Sequence, residues 1–162
     1  ESLKREELSG MGCTLVAAVI EDGILYAANI GDSRLYRIHG GRIRQVTKDH
    51  SYVEEMVARG KMVRGSADYN RRKNIITRAV GVSEKVKIDI FERQLRAGEY
   101  IILCSDGLTN MVEDSVILQI LHGAGSLSDK AERLIELANK NGGKDNITVI
   151  IIEPNSDEVA EC

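Results

Sequence analysis

The chain alternates between short apolar runs and polar turns, and most of the runs have the length of β-strands. Four such runs fill the first part of the sequence, at residues 14–20, 24–30, 34–39 and 42–47. Asp22-Gly23 and Gly40-Gly41 have the composition of two-residue hairpin turns, and Gly31-Asp32-Ser33 separates the two middle runs. This pattern predicts a four-stranded antiparallel meander.

The next part of the chain changes from strand to helix periodicity. Ser51 and Glu54 have the spacing of a helix-capping pair, which predicts a short helix that ends before Gly60. Residues 61–73 are polar and basic without a periodic apolar face, and we interpret them as an exposed, mobile excursion. Residues 74–81 are predicted to return to the core, and the alternation over residues 86–90 favours a half-exposed strand.

The second half contains the most apolar strand and two helices. Residues 100–105 predict a strand that is buried on both faces. Helices are expected at residues 114–121 and 128–141, followed by a last strand at residues 147–152. Strands followed by a helix pair and a strand predict an α+β fold with antiparallel sheets. We interpret residues 1–8 as the end of a helix and residues 154–162 as an acidic tail.

Three aspartates lie where apolar strands end or begin. Asp106 follows the run at 101–105, Asp32 follows the run at 26–31, and Asp145 precedes the run at 147–152. Carboxylates without nearby His or Cys prefer hard divalent cations such as Mg²⁺ or Mn²⁺, so the three side chains could converge on one metal site. Aspartates beside glycines are also common turn formers, and spacing alone leaves both interpretations open.

Composition excludes several classes of protein. The 162 residues suit one domain, and the net charge of −3 is spread in both signs, which argues against a nucleic-acid surface. The three cysteines form no CxxC pair, which favours a reducing, cytoplasmic location over a disulfide framework or a zinc site. No apolar run is long enough to cross a membrane. Cys104 is interpreted as a small buried hydrophobe.

The histidines are scattered along the sequence and are interpreted as surface or loop residues. They are His39, His50 and His122. His50, which follows Asp49 near the polar excursion, keeps a possible role in proton transfer.

Four segments in fixed order carry a family resemblance: Gly10-Met11-Gly12-Cys13-Thr14, Gly31-Asp32-Ser33-Arg34, Cys104-Ser105-Asp106-Gly107-Leu108 and Gly143-Lys144-Asp145-Asn146-Ile147-Thr148. The last three look like signature motifs of the metal-dependent serine/threonine protein phosphatases of type 2C, with the bacterial branch as the nearest resemblance. The resemblance runs from about residue 10 to 152. It implies a sandwich of two antiparallel sheets flanked by helices, with a two-metal centre in a cleft.

The resemblance also implies roles for individual residues. Asp106 and Asp145 correspond to ligands of one metal of the catalytic pair, and Asp32 corresponds to an acid that holds a weaker third metal together with Asp106. Asn146 would fix the loop that carries Asp145, and Gly107 and Ser33 would support the site. Residues 48–73 correspond to a substrate flap beside the active site, in which Arg71, Arg72 and His50 are the candidate contacts.

The implied activity is hydrolysis of phosphoserine or phosphothreonine by a water that Mg²⁺ or Mn²⁺ activates. The chain resembles only about the C-terminal two-thirds of the family domain, placed here at residues 1–153. An Asp-Gly pair whose carboxylate bridges the metals and an early phosphate-binding arginine have no counterpart, and Cys13 stands where a threonine is usual. The chain alone is therefore expected to be inactive if no other segment supplies these groups.

Two alternatives stay open at this point. One is a catalytically incomplete fragment or pseudo-phosphatase that acts as a binding module, and the other is an enzyme dedicated to one regulator in a bacterial stress or sporulation switch. The expected partner is a phosphoprotein substrate of a serine/threonine kinase, with no nucleic acid and no membrane. Because strands such as residues 14–20 would lack their cover, we also expect self-association or pairing with an N-terminal segment.

Overall fold

The computed structural model describes residues 5–155 and contains two antiparallel sheets. The strands are β1 (Leu15–Glu21), β2 (Ile24–Ile30), β3 (Arg34–His39), β4 (Arg42–Gln45), β5 (Asp89–Gln94), β6 (Tyr100–Cys104) and β7 (Val149–Ile152). The helices are α1 (Tyr52–Ala58), α2 (Ala67–Arg72), α3 (Asp106–Thr109), α4 (Asp114–His122) and α5 (Leu127–Lys140), and a 3₁₀ turn covers Glu6–Leu8. One sheet has the order β1-β2-β5 and the other β4-β3-β6-β7. The α+β sandwich flanked by helices is confirmed.

Strand β6 lies at the centre of the core, as its apolar sequence predicts. It pairs with β3 on one side and β7 on the other. Ile101 and Leu103 pack between the two sheets, whereas Ile102 and Cys104 face the layer formed by α4 and α5. Ile101 and Ile102 are 0% exposed, and burial of each side chain is worth roughly 1.5–3 kcal/mol. Both faces of β6 are therefore core.

The prediction of a single four-stranded meander is wrong. The two hairpins form as expected, with positive φ angles at Asp22-Gly23 and Gly40-Gly41. Strands β2 and β3, however, belong to different sheets, and β3 pairs with the distant β6 instead. The three residues between β2 and β3 carry the chain from one sheet to the other. A hairpin turn within one sheet and a short crossing between two sheets have the same sequence signature, so the hydrophobic pattern could not distinguish them.

The excursion at residues 61–73 is largely exposed, as expected, but it contains a helix that was not predicted. It contains α2, whose first turn is capped by the Ser66 hydroxyl accepting from the Tyr69 N–H at 3.2 Å. The excursion is tied to α1 by Glu54, which accepts from the Arg64 guanidinium and from the Tyr69 hydroxyl. A buried carboxylate rather than an apolar stripe fixes this segment, and hydrophobic periodicity does not detect such a contact.

Residues 74–81 do not return to the core as a strand. They make two isolated bridges, Ser51 with Ile76 and Cys13 with Val80, and most of their apolar side chains are exposed. The strand expected at residues 86–90 begins only at Asp89 and continues to Gln94. Backbone pairing holds both segments beside other elements, while Ile75, Ile88 and Ile90 remain exposed.

The helices predicted at residues 51–59, 114–121 and 128–141 are confirmed, as is the Ser51 cap, whereas the cap at Ser126 was not predicted. Ser51 caps α1 by accepting from the Glu54 N–H, and Ser126 and Asp129 form a reciprocal capping box at the start of α5. Of the expected N-terminal helix end, the structure describes only the 3₁₀ turn, and most of the expected acidic tail lies outside the described residues. No helix among residues 5–155 has the length and apolar content needed to span a membrane.

The outer face of the β1-β2-β5 sheet is apolar and exposed. Val19 on β1 and Ile90 on β5 are 60% and 67% exposed, and Leu15 and Tyr26 lie on the same face. Strand β1 is also an edge strand. The exposure expected for residues 14–20 is therefore present in the structure.

Candidate metal centre

Asp32 lies at the crossing between the two sheets, where the backbone is held from two sides. Gly31 has φ +105°, and a Cβ at this position would lie 2.4 Å from Thr14 Cγ2. The Gly31 N–H donates to His50 Nδ1 at 3.0 Å, and the Gly31 carbonyl accepts from the His50 N–H at 2.9 Å. The buried Ser33 hydroxyl lies 2.9 Å from the Thr14 hydroxyl. Ser33 thus supports the turn that places Asp32.

Asp106 is the first residue of α3, directly after the end of β6. Its Oδ2 accepts from Asn110 Nδ2 at 3.0 Å. Burial raises the pKa of the Asp106 carboxyl, and the negative charge of Asp145 raises it further. A carboxyl in this position favours a nearby cation because its charge is only partly compensated by the protein.

The loop that carries Asp145 is clamped onto the start of α3. The Ser105 hydroxyl donates to the Asn146 carbonyl at 3.1 Å and accepts from the Thr148 N–H at 3.0 Å. A Cβ on Gly107 would lie 2.3 Å from the same Asn146 carbonyl oxygen, so only glycine permits this approach. Asn146 and Gly107 were expected to support the site, whereas Ser105 was missed although it lies in the same motif.

The three aspartates are coupled in a chain rather than gathered at one point. Burial raises the pKa of Asp32 to about 6, and the charge of Asp106 adds to this effect. Asp106 is coupled in the same way to Asp145, which is exposed and accepts from the Asn146 N–H through Oδ1 at 2.7 Å. Among residues 5–155, no group of three or more His, Cys, Asp or Glu side chains could hold a metal ion. The structure couples Asp106 to each of the other two aspartates, and a metal centre shared by all three stays a prediction.

Asp32 and Asp106 line a cavity of about 260 Å³ that also contains Arg34, Asp49 and Lys73. Arg34 binds Asp49 through two guanidinium nitrogens, with Nη2 to Oδ2 at 2.7 Å. The Arg34 charge lowers the pKa of both Asp32 and Asp106, against the larger effect of burial. Asp49 was missed because an acid in a polar loop has no distinctive sequence signal.

The basic residues of the flap are divided between two roles. Arg71 and Arg72 form ion pairs with Asp68, both at 3.3 Å, on the exposed side of α2. Lys73, the next residue, lines the cavity and has no ion pair with any carboxylate that the structure describes. Among these three basic residues, Lys73 is the one that lines the cavity with Asp32 and Asp106, and contact of the two arginines with substrate stays a prediction.

His50 is not a surface residue, which corrects the expectation from its polar surroundings. It is 4% exposed, and its Nε2 lies 3.1 Å from Asp89 Oδ2. Its Nδ1 accepts from the Gly31 N–H, and its Nε2 also lies 3.0 Å from Nη1 of Arg78, which forms an ion pair with Asp89. His50 therefore joins the sheet crossing to the start of β5.

Comparison with known proteins places this geometry in a family. Residues 1–147 match the family described as Protein phosphatase 2C. The chain belongs to the protein phosphatase 2C family. This agrees with the motif resemblance and with the two-sheet sandwich.

Relatives of this protein phosphatase 2C chain include bacterial serine/threonine phosphatases. It is 45% identical over 149 residues to serine/threonine phosphatase stp of Listeria welshimeri, a match covering 92% of this chain and 59% of the relative. Its fold is similar to that of Staphylococcus aureus Stp1, with a TM-score of 0.90 at 36% identity, over 96% of this chain and 61% of Stp1. It also resembles the catalytic domain of PstP in complex with two manganese ions, with a TM-score of 0.81 at 36% identity, over 93% of this chain and 62% of that one. The chain thus spans about three fifths of the length of these relatives.

The donor set of this protein phosphatase 2C chain fits a hard divalent cation. Two carboxylates, Asp106 and Asp145, are coupled, and neither forms an ion pair with a cation among the described residues. Mg²⁺ is commonly bound in proteins by one or two carboxylates, with waters completing its coordination. Asp106 and Asp145 could therefore supply the protein oxygens for one ion.

Proposed function

We propose that this chain carries part of the active site of a metal-dependent protein serine/threonine phosphatase, which hydrolyses phosphoserine or phosphothreonine. The observation that carries the proposal is the Ser105 and Gly107 clamp, which holds the Asp145 loop against Asp106. Two carboxylates are thereby kept close at the cost of mutual repulsion. A bound cation would remove that cost.

The described residues would perform separate tasks in this reaction. Asp106 and Asp145 would hold Mg²⁺ or Mn²⁺, and Asn110 would keep Asp106 Oδ2 in place through its amide. The metal ions, when bound, would activate the attacking water and offset the charge of the phosphoryl group. Lys73 would bind a phosphate oxygen from the flap side of the cavity, where its ammonium group has no carboxylate partner among residues 5–155.

Asp32 would contribute to a third, weaker cation site together with Asp106. Both carboxylates line the same cavity. Burial and the charge of Asp106 raise the pKa of Asp32 to about 6. A carboxyl with this pKa is largely ionised only above pH 6. Occupation of the third site is therefore expected to weaken in mildly acidic buffer.

The flap at residues 48–73 would contact the phosphoprotein substrate. Arg71 and Arg72 are exposed on α2 beside the cavity that Lys73 lines, and they could engage the substrate outside the phosphate site. His50 would act indirectly, by holding the turn between β2 and β3 that carries Asp32. The two free cysteines among the described residues, Cys13 and Cys104, support a reducing cytoplasmic location.

The test is Mn²⁺-dependent hydrolysis of a phosphothreonine peptide by the chain, alone and mixed with the part of the Listeria welshimeri relative that it does not match. Activity that appears only on mixing and is lost in Asp106→Asn would support a metal site shared between two segments. Metal binding should be measured by calorimetry on the same samples. Absence of both activity and Mn²⁺ binding in every mixture would refute the proposal.

A second candidate is a non-catalytic binding module that keeps the fold. It is favoured by one observation, that no three potential ligand side chains among the described residues group around a single point. Such a module would bind a phosphopeptide without hydrolysing it. Phosphate release by the mixed sample would exclude this candidate, and peptide binding without release would establish it.

We further propose that the outer face of the β1-β2-β5 sheet is covered in the working protein by the segment that the longer relatives possess. The exposed apolar residues Leu15, Val19, Tyr26 and Ile90 form one face of this sheet. In isolation the same face would drive self-association. Sedimentation should show dimers or larger species for the chain alone and a 1:1 complex on mixing, and a stable monomer alone would contradict this.

A further inference from the structure

A basic groove of about 670 Å³ opens where the two sheets separate at their edges. Its walls are the edge strands β4 and β5, the end of β3 and the turn before β6. Five arginines and one glutamate provide its charged lining: Arg37, Arg42, Arg44, Arg93, Arg96 and Glu99. This concentration of positive charge is not visible in the sequence, because the contributing residues come from two distant stretches, 37–44 and 93–99.

Most of this charge is not neutralised by the fold. Arg37 binds the buried Glu99 through Nε at 2.9 Å and therefore has a structural partner. Arg42, Arg44 and Arg96 make no ion pair with any carboxylate of residues 5–155, and Arg93 bonds only to the Glu92 carbonyl. The groove thus presents four guanidinium groups without anionic partners in the part of the chain that the structure describes.

Internal stability does not account for this arrangement. Arg44 lies directly opposite Arg37 in the β3–β4 ladder, and like charges at facing positions destabilise a sheet. Glu99 is already engaged by Arg37, so it cannot also relieve Arg44. A ligand that brings negative charge into the groove would relieve this repulsion.

The groove is separate from the candidate metal centre. Arg34, at the start of β3, lines the cavity beside Asp32, whereas His39, at the end of β3, lines the groove. Five residues of strand place the two sites roughly 16 Å apart. This distance is short enough for one extended polypeptide to reach both.

We propose that this groove, the basic edge groove, binds an acidic segment of a partner protein in extended conformation. The open edges of β4 and β5 offer backbone groups to such a segment, and the arginines offer charge-assisted hydrogen bonds to its carboxylates. No Phe, Tyr or Trp side chain of residues 5–155 lines the groove for stacking of nucleic-acid bases, and His39 supplies the single ring in that lining. The groove is concave, and Val46 is the only aliphatic side chain of residues 5–155 in its lining, which does not suit a flat membrane surface.

The test is fluorescence anisotropy of a fluorescein-labelled decaglutamate peptide with the 162-residue chain. The variant Arg42→Glu/Arg44→Glu should lose affinity by about tenfold or more, and higher salt should weaken binding to the unaltered chain. Lys85→Glu/Lys87→Glu changes the net charge equally at exposed positions outside the groove, and it should bind within about twofold of the unaltered chain. Equal losses in both variants, or no binding by the unaltered chain, would overturn the proposal.

Two further measurements distinguish an acidic protein segment from nucleic acid or a membrane, and a binding role of the arginines from a stabilising one. An oligothymidylate of equal charge and phosphatidylserine vesicles serve as competitors, and tighter binding of either one than of decaglutamate would overturn the assignment. Thermal unfolding of Arg44→Glu should show an unchanged or higher Tm, because the repulsion with the facing Arg37 is removed. If the double variant unfolds more easily, Arg42→Gln/Arg96→Gln replaces it, and this variant must lose affinity for the proposal to stand.

Discussion

Replacing Asp32 with asparagine should stabilise the metal-free protein although it damages the proposed third metal site. Burial and the charge of Asp106 raise the pKa of the Asp32 carboxyl to about 6, from an ordinary value of 3.8. The folded state therefore binds this proton more tightly than the unfolded state does. The contribution of Asp32 to stability is most favourable below pH 3.8, falls as the pH rises towards 6, and is least favourable above pH 6.

The size of the effect follows from the same values. A pKa difference of about two corresponds to about 3 kcal/mol. Because Asp32 is only partly buried, solvent screening reduces the expected gain to about 1–2 kcal/mol at pH 7.5. For a domain of this size such a gain raises the Tm by roughly 2–8 °C. At pH 4 the gain should largely disappear, because the native carboxyl is then protonated.

The assay is thermal unfolding by circular dichroism in EDTA, at pH 7.5 and at acidic pH, for the unaltered chain and for Asp32→Asn. The control is Asp22→Asn, at an exposed hairpin position with φ 50° that asparagine tolerates. Added Mn²⁺ should then raise the Tm of the unaltered chain more than that of Asp32→Asn. A lower Tm for Asp32→Asn in EDTA at pH 7.5, or the same gain at both pH values, would refute the reasoning.

Three further substitutions test the clamp and the core. Gly107→Ala puts a methyl group 2.3 Å from the Asn146 carbonyl oxygen, and we expect a loss of about 1–3 kcal/mol in denaturant unfolding together with weaker Mn²⁺ binding in calorimetry. Ser105→Ala removes the hydroxyl bonds to Asn146 and Thr148, and it should cost about 1–2 kcal/mol; unchanged stability would show that the clamp is dispensable. Ile102→Ala should cost about 2–5 kcal/mol by urea unfolding without changing Mn²⁺ affinity once folded, because Ile102 faces the helices and not the metal centre.

Much of the fold and the core of the site could be predicted from the sequence. The run at β6 is apolar at every position, which requires burial on both faces, and Asp106 at its end is necessarily held at the rim of the core. The motif around Asp145 and Asn146 indicated the second carboxylate, whereas the reason for Gly107, its close approach to the Asn146 carbonyl, became visible only in the structure. Hairpin turns and the Ser51 helix cap are local, so their residues predicted them directly.

Tertiary structure decided the features that depend on distant partners. Whether Gly31 to Ser33 closes a hairpin or crosses between sheets depends on the pairing of β3 with β6, which no local pattern encodes. The burial of His50 depends on polar contacts with Gly31 and Asp89, and the order of α2 depends on contacts made through Glu54. Sequence determined which residues carry charge and which strands must be buried, but only folding decided which charges share a cavity. The basic edge groove exists for the same reason, because edge strands of two separate sheets bring its arginines together.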